Sequence, residues 1–297
     1  MHSDAWHLTH DLDDFLTRAD GFLRSRPALH TVQLTVTDAL RSRGPGTFGK
    51  EAPLFGTLGD GSGGVRATLL HTPPYPVNAT LLGAAEADAL AARLLDLGRP
   101  VAGISAERDT AAAFAAAWQR RTGTEGEIHQ RQRLYRLAEL RPPERLPEGR
   151  PRVAGPADRD LLMRWYGEFT AAAGLHAGQA AGEWADARLA HDGLTLWETP
   201  DATPVAMAGV TRATAGQVRV QTVYTPAHLR GRGYASAVTA EVSRAALESG
   251  AREILLFTDL ANPTSNALYQ RIGYRAVADF AVWELADLRP GRPPGAH

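Results

Sequence analysis

The chain has 297 residues, 32 Lys and Arg against 33 Asp and Glu, 44% hydrophobic residues and no cysteine. That length allows about two domains, the apolar fraction excludes wholesale disorder, and the near-zero net charge argues against a general nucleic-acid binder. Without cysteine there can be no disulfide, thiolate zinc site or cysteine nucleophile. The start, "MHSDAWHLTHDLDDFLTRAD", lacks the basic and apolar regions of a signal peptide. No run of about 18 uncharged apolar residues predicts a membrane span. The expected location is the cytoplasm. Lys50 is the only lysine, so arginine is the default cation and a lone arginine carries little functional weight.

In chain order, Asp11 to Arg26 has helical periodicity. "APLFGTL" and "VRATLLHT" read as a hairpin around "GDGSGG", a run that only superficially resembles a serine-protease motif. "NATLLGA", a helix from Glu86 to Leu97, "PVAGISA", a helix from Asp109 to Thr122 and "EIHQRQRLYRL" complete the first half. "LRPPERLPEGRPRVAGP", from Leu140 to Pro156, carries five prolines and predicts a linker, because proline fixes φ and lacks an amide donor. The expected domains are therefore 1–140 and 151–288, joined by 141–150, with a disordered tail at 289–297.

In the second half, helices are predicted over Ala157–Ala173 and Gly182–His191. "GLTLWET", "PVAMAGVTRAT" and "QVRVQTVYT" are predicted strands, the first two joined by the turn "PDATP". A helix from Tyr234 to Ser249 ends at Gly250, "REILLFTDL" is a strand, "NPTSNALYQRI" is a helix with proline in its first turn, and "YRAVADFAVWEL" is a last strand. Strands and helices recur in similar order about 140 residues apart, which predicts an internal duplication.

The informative stretch is "HLRGRGYASA", residues 228–237. A strand precedes it and a helix follows. Free N–H groups and the positive end of the dipole make such a helix start an anion seat. Gly231 and Gly233 permit close backbone approach, and Arg230 and Arg232 add charge. A Walker loop is excluded because no Gly-Lys-Ser/Thr follows. A dinucleotide loop is the weaker alternative: Ser236 replaces the third glycine, although Asp259 could stand in for the ribose-binding acid.

Read as R-x-x-G-x-A, Arg230, Gly233 and Ala235 resemble the pyrophosphate loop of the GNAT (Gcn5-related) N-acetyltransferases. "VQTVYTP" resembles that family's splayed strand. Asn262, the Leu268–Tyr269 pair, and Gly273 with Tyr274 fall in register with its later strand and helix. The resemblance covers about 150–287. It implies a mixed α/β fold with a mostly antiparallel sheet flanked by helices, in two such domains, the first a degenerate copy lacking the loop.

It also implies acetyl-CoA as co-substrate and an amine acceptor; the charge, the hydropathy and the lack of an HExxH pattern give no expectation of a nucleic-acid, membrane or metal partner. The backbone of Thr222, Val223 and Tyr224 would pair with the pantetheine arm. Amides along Arg230, Gly231, Arg232, Gly233, Tyr234, Ala235 and Ser236 would hold the pyrophosphate. Asn262, helped by Ser265 or Asn266, would bond the pantetheine. Tyr269 would protonate the leaving thiolate, a phenol of pKa about 10 serving a thiol of about 8 to 9. Gln221 stands where many relatives carry a basic glutamate, so the base stays open among Glu168, His176, Glu183 and Asp259. The sequence also leaves open a non-catalytic acyl-CoA sensor, the acceptor's identity and the oligomeric state. His2, His7 and His10 are expected to be solvated, and Trp165, Trp184 and Trp197 to be core or pocket walls.

Overall fold

The computed structural model describes residues 6–174 and 179–285. The expected tail at 289–297, His2 and His176 lie outside the described residues. The chain divides into two compact units, Met1–Gln132 with Asp279–His297, and Arg133–Ala278.

The first unit contains β1 (His7–Thr9), α1 (Leu12–Ser25), α2 (Thr31–Arg43), β2 (Leu54–Gly59), β3 (Val65–His71), β4 (Val77–Ala79), α3 (Ala84–Asp96), β5 (Gly103–Glu107), α4 (Arg108–Thr122) and the start of β6 (Gly126–Leu137). The strand order is β1-β2-β3-β4-β5, antiparallel except for β4 with β5. Asp11 caps α1 by accepting from the amides of Asp13 and Asp14. In the "GDGSGG" turn, Asp60 Oδ1 accepts from Ser62 N, Ser62 Oγ and Gly64 N, so the carboxylate serves the hairpin. The core is built from α3, α4 and the strands, with Leu90, Leu94, Ile104, Phe114 and Trp118 essentially inaccessible.

The second unit takes up β6 and continues through β7 (Arg150–Val153), α5 (Arg159–Ala172), α6 (Ala181–Leu189), β8 (Leu194–Glu198), β9 (Pro204–Val210), β10 (Gln217–Tyr224), α7 (Tyr234–Glu248), β11 (Glu253–Asp259), α8 (Pro263–Arg271) and the first part of β12 (Tyr274–Leu285). Its strands run β7-β8-β9-β10-β11, again antiparallel except for the last pair. Val238, Val242 and Ala246 repeat every four residues on α7 and are buried against the sheet. A separate cluster of Leu162, Trp165, Trp184, Leu196 and Met207 seats α5 and α6, and Trp197 lies in the sheet core, so these tryptophans are core residues.

Both units thus follow the order β-α-α-β-β-β-α-β-α-β, and the mixed, mostly antiparallel sheets with packed helices are those the sequence predicts. The boundaries differ from the expected 1–140, 141–150 and 151–288. The chain changes unit inside β6, between Gln132 and Arg133, and again inside β12, between Ala278 and Asp279. The proline-rich segment lies wholly within the second unit. Its prolines do prevent regular structure from 138 to 149, but strand pairing, not chain composition, draws the division. The last part of β12 pairs antiparallel with β5, Phe280 opposite Glu107 and Glu284 opposite Gly103, and buries Ala281 and Leu285 in the first core.

Candidate active site

The second unit's β10 carries the first unusual feature. Gln221 opposes Gly209 and Tyr224 opposes Met207, so β10 spends three steps where β9 spends two. The extra residue is a β-bulge, and Thr222 takes φ +54 there. A β-branched residue in the left-handed region is strained by roughly 1–2 kcal/mol. The bulge bends β10 where its parallel pairing with β11 stops: the register runs from Gln217 opposite Glu253 to Val220 opposite Leu256. Among the described residues no pairing between these two strands continues past that point. Facing backbone edges are left along 221–224 and 257–259, a slot that can take an extended ligand as a strand takes a partner.

The slot leads to the start of α7. After Thr225 and Pro226 a single 3₁₀ turn, Ala227–Leu229, turns the chain, and Arg230 Nε donates to Thr225 O at 3.2 Å to brace it. Gly231 and Gly233 follow at φ +78 and +87, which explains glycine at both. A Cβ built at Gly231 would meet nothing within 4 Å, and one at Gly233 only Pro147 Cδ at 3.8 Å. Conformation, not protein packing, therefore selects these glycines, and the space in front of them is open. No side chain caps α7, whose first intrahelical bond is Ala237 N to Gly233 O at 3.0 Å. The amides of Tyr234, Ala235 and Ser236 have no intrahelical acceptor. No acid lies between 225 and 236, and Arg230 and Arg232 are exposed beside the seat. The donor set, charge and open space fit a pyrophosphate. The Tyr234 side chain is buried in the core, so only its backbone is available there.

The first unit is different at the same place. Only Thr80 to Gly83 separate β4 from α3, against nine residues between β10 and α7. Glu86 Oε2 accepts from Gly83 N at 2.8 Å, and the same carboxylate pairs with Arg66 at 2.7 Å. The chain's own anion sits at this helix start. This is a physical reason for the degeneracy expected of the first domain.

After β11, Asn262 is the N-cap of α8, its Oδ1 accepting from Ser265 N at 3.0 Å. Asn266 is fully committed: Nδ2 donates to Asp259 O at 2.8 Å and Asn262 O at 2.7 Å, and Oδ1 accepts from Tyr135 at 3.1 Å. These side chains tie α8 to the end of β11. What Asn262 keeps free for a ligand is its own Nδ2. Tyr269 is the buried residue of α8, 8% exposed, with its ring edge-on to Tyr274 at 6.1 Å. Burial pushes its phenol up to about 12. No hydrogen bond to its hydroxyl is made among the described residues.

Among the candidate bases, Glu183 is exposed on α6, and Asp259 Oδ1 is engaged by Ala261 N at 2.8 Å. Glu168, on α5, is different. Tyr224 donates its hydroxyl to Glu168 Oε2 at 2.6 Å, joining α5 to the residue that closes the bulge. Burial, then the bond to Glu168, push the Tyr224 phenol up to about 12, so the proton stays on the phenol and the carboxylate is the acceptor. The two residues lie 56 positions apart, a separation across which no local pattern pairs them. Among the described residues no cluster of His, Asp and Glu could hold a metal, and no helix is long and apolar enough to cross a membrane.

Residues 159–274 match the acetyltransferase (GNAT) family. No curated protein matches the chain significantly. Among solved structures, it is similar to a GCN5-related N-acetyltransferase from Sphaerobacter thermophilus, with TM-score 0.65, 16% identity and 98% of each chain covered. A Drosophila protein gives TM-score 0.65 at 12% identity, covering 96% of this chain and 99% of that one. A tandem GNAT protein from the clavulanic acid biosynthesis pathway gives TM-score 0.52 at 13% identity, covering 97% and 100%. These likenesses establish a shared fold that extends over both units.

Proposed function

We propose that residues 159–274, a domain of the acetyltransferase (GNAT) family, carry an acetyl group from acetyl-CoA to a primary amine of a small molecule, amino acid or peptide. The observation that carries this reading is the junction of the slot between β10 and β11 with the uncapped start of α7. One element suits an extended amide-bearing arm and the other its pyrophosphate, in the order that coenzyme A presents them. Acetyl-CoA, when bound, supplies a thioester open to attack by the amine.

The chain's own groups then have distinct tasks. Backbone along Thr222 to Tyr224 orients the arm, and the amides from Gly231 to Ser236 hold the phosphates. Asn262, through its free Nδ2, and Ser265 border the arm, and Asn266 positions α8. Glu168 takes the proton that the amine must lose, while Tyr224 orients its carboxylate. Tyr269 faces the departing sulfur as a neutral donor. A phenol at about 12 stays protonated at working pH, and full transfer to a thiolate near 8.5 is uphill by about 5 kcal/mol. Its contribution is therefore a hydrogen bond to the developing charge rather than a completed proton transfer.

The test is acetyl-CoA-dependent thiol release over an amine library, with each product checked by mass for one added acetyl group. Thiol release with no amine in the library would favour hydrolysis; tight acetyl-CoA binding with no turnover would favour the sensor reading. With an acceptor in hand, Tyr269→Phe is expected to lower kcat about tenfold, one hydrogen bond to charge being worth roughly 1.5 kcal/mol, and to leave the acetyl-CoA KM unchanged. Steady-state kinetics with wild-type kcat in that variant would reduce Tyr269 to a core residue.

A further inference from the structure

The first unit has a cavity of its own, of about 500 Å³, bounded by the end of α1, the turn into α2, the loop between β4 and α3, and the end of β5. It lies where β4 and β5 part, since their parallel pairing is confined to Val77 opposite Ile104 and Asn78 opposite Ser105. That volume suits a small molecule. A phosphate-bearing ligand is a poor occupant, because the Glu86 carboxylate already fills the adjacent helix start.

The cavity's remaining chemistry is specific. Phe22, Leu29 and Phe280 supply apolar wall. His30 donates Nδ1–H to Leu23 O at 3.1 Å, stacks on Phe22 at 4.7 Å, and is held neutral by burial. Arg66 and Glu86 neutralise each other. Two charged side chains are left: Arg26, at the carboxyl-terminal end of α1, and Glu107, at the end of β5. Neither makes an ion pair or a side-chain hydrogen bond among the described residues, with each other or with anything else. Arg26 is exposed and Glu107 half-buried. Partial burial, then the neighbouring Asp109, push the Glu107 carboxyl above the usual carboxylate range, against the weaker pull of the Arg108 guanidinium beside it.

An arginine and a glutamate that make no ion pair therefore line one apolar-walled space, and a ligand bearing both complementary charges can bond to each. We propose that this cavity binds a small zwitterion, an α-amino acid with an apolar side chain, its carboxylate on Arg26 and its ammonium on Glu107. Phe22, Leu29 and Phe280 receive the side chain. This site is independent of the acetyl-transfer reading of the second unit.

The experiment is calorimetric titration of the full-length protein with L-phenylalanine, L-leucine, 3-phenylpropionate and 2-phenylethylamine. At least one amino acid is expected to bind saturably, and the single-charge analogues at least tenfold more weakly, about 1.4 kcal/mol. Glu107→Gln should remove the advantage of L-phenylalanine over 3-phenylpropionate, and Arg26→Gln its advantage over 2-phenylethylamine. Both sites are accessible enough for the variants to fold, which circular dichroism checks. Glu168→Gln, in the other unit, should leave the titration unchanged. No saturable binding of either amino acid, equal binding of a single-charge analogue, or wild-type binding by both glutamine variants would each overturn the proposal. The last outcome, with binding lost in Glu168→Gln, would place the amino acid at the acceptor site instead.

Discussion

Replacing Gly233 with valine is expected to weaken acetyl-CoA binding about a hundredfold while the domain remains folded. Gly233 holds φ +87, and valine there either keeps the left-handed backbone at a cost of roughly 1–2 kcal/mol or pulls the loop out of shape. In the first case its methyl groups enter the open space that a ligand phosphate would occupy. In the second the amides of Tyr234 and Ala235 lose their common direction. Either way about two charge-assisted contacts are lost, each worth roughly 1.5–3 kcal/mol, and about 3 kcal/mol corresponds to the hundredfold change. The control is Gly250→Val at the other end of α7. Gly250 has φ +89 and open space around its Cβ position, so it carries the same strain away from the seat. Calorimetry should show wild-type affinity for that variant, with a similar fall in Tm for both. Retained affinity in Gly233→Val, or equal loss in Gly250→Val, would remove the phosphate role from this loop.

Glu168→Gln is expected to cost about a hundredfold or more in kcat, the usual worth of a general base, with acetyl-CoA affinity unchanged. Glutamine keeps a carbonyl oxygen to accept the Tyr224 hydroxyl, now made at 2.6 Å, so α5 should stay in place. It cannot take a proton from the acceptor. Steady-state kinetics should place the loss in kcat and leave the acetyl-CoA KM near wild type. Tyr224→Phe separates positioning from proton transfer. It leaves the carboxylate but frees its rotation, so a smaller loss in kcat is expected. Full activity of Glu168→Gln between about pH 6 and 9 would exclude Glu168 and return attention to Asp259 and His176.

Some elements were illegible for identifiable reasons. The helix α2, "TVQLTVTDALRSR", was not predicted. Its Thr and Val residues have modest helix propensity, and it buries Thr31, Gln33 and Thr37 beside Leu34 and Leu40, so no apolar stripe marks it. Packing rather than local preference stabilises it, with the Gln33 amide bonded to Thr68 Oγ1, Thr68 O and Asn78 O in the sheet. The strand β1 has three residues and β7 four, too short for alternation to be read. The first unit's "GAAE" did carry the signal of a glutamate closing its own helix start. Its meaning emerged only beside the open start of α7.

By itself the sequence determined the loop from Arg230 to Ser236 and the alternation of strands and helices. Each depends on interactions within a few residues: a φ that only glycine takes easily, an apolar repeat along one element. Tertiary structure alone decided where β10 parts from β11, that Thr222 sits in a strained bulge, that Tyr224 meets Glu168, and that β6 and β12 are each divided between two units. These features depend on which strand lies beside which and in what register. Register follows from the summed burial of whole faces, a property of chain segments far apart in sequence that no local pattern of residue types encodes.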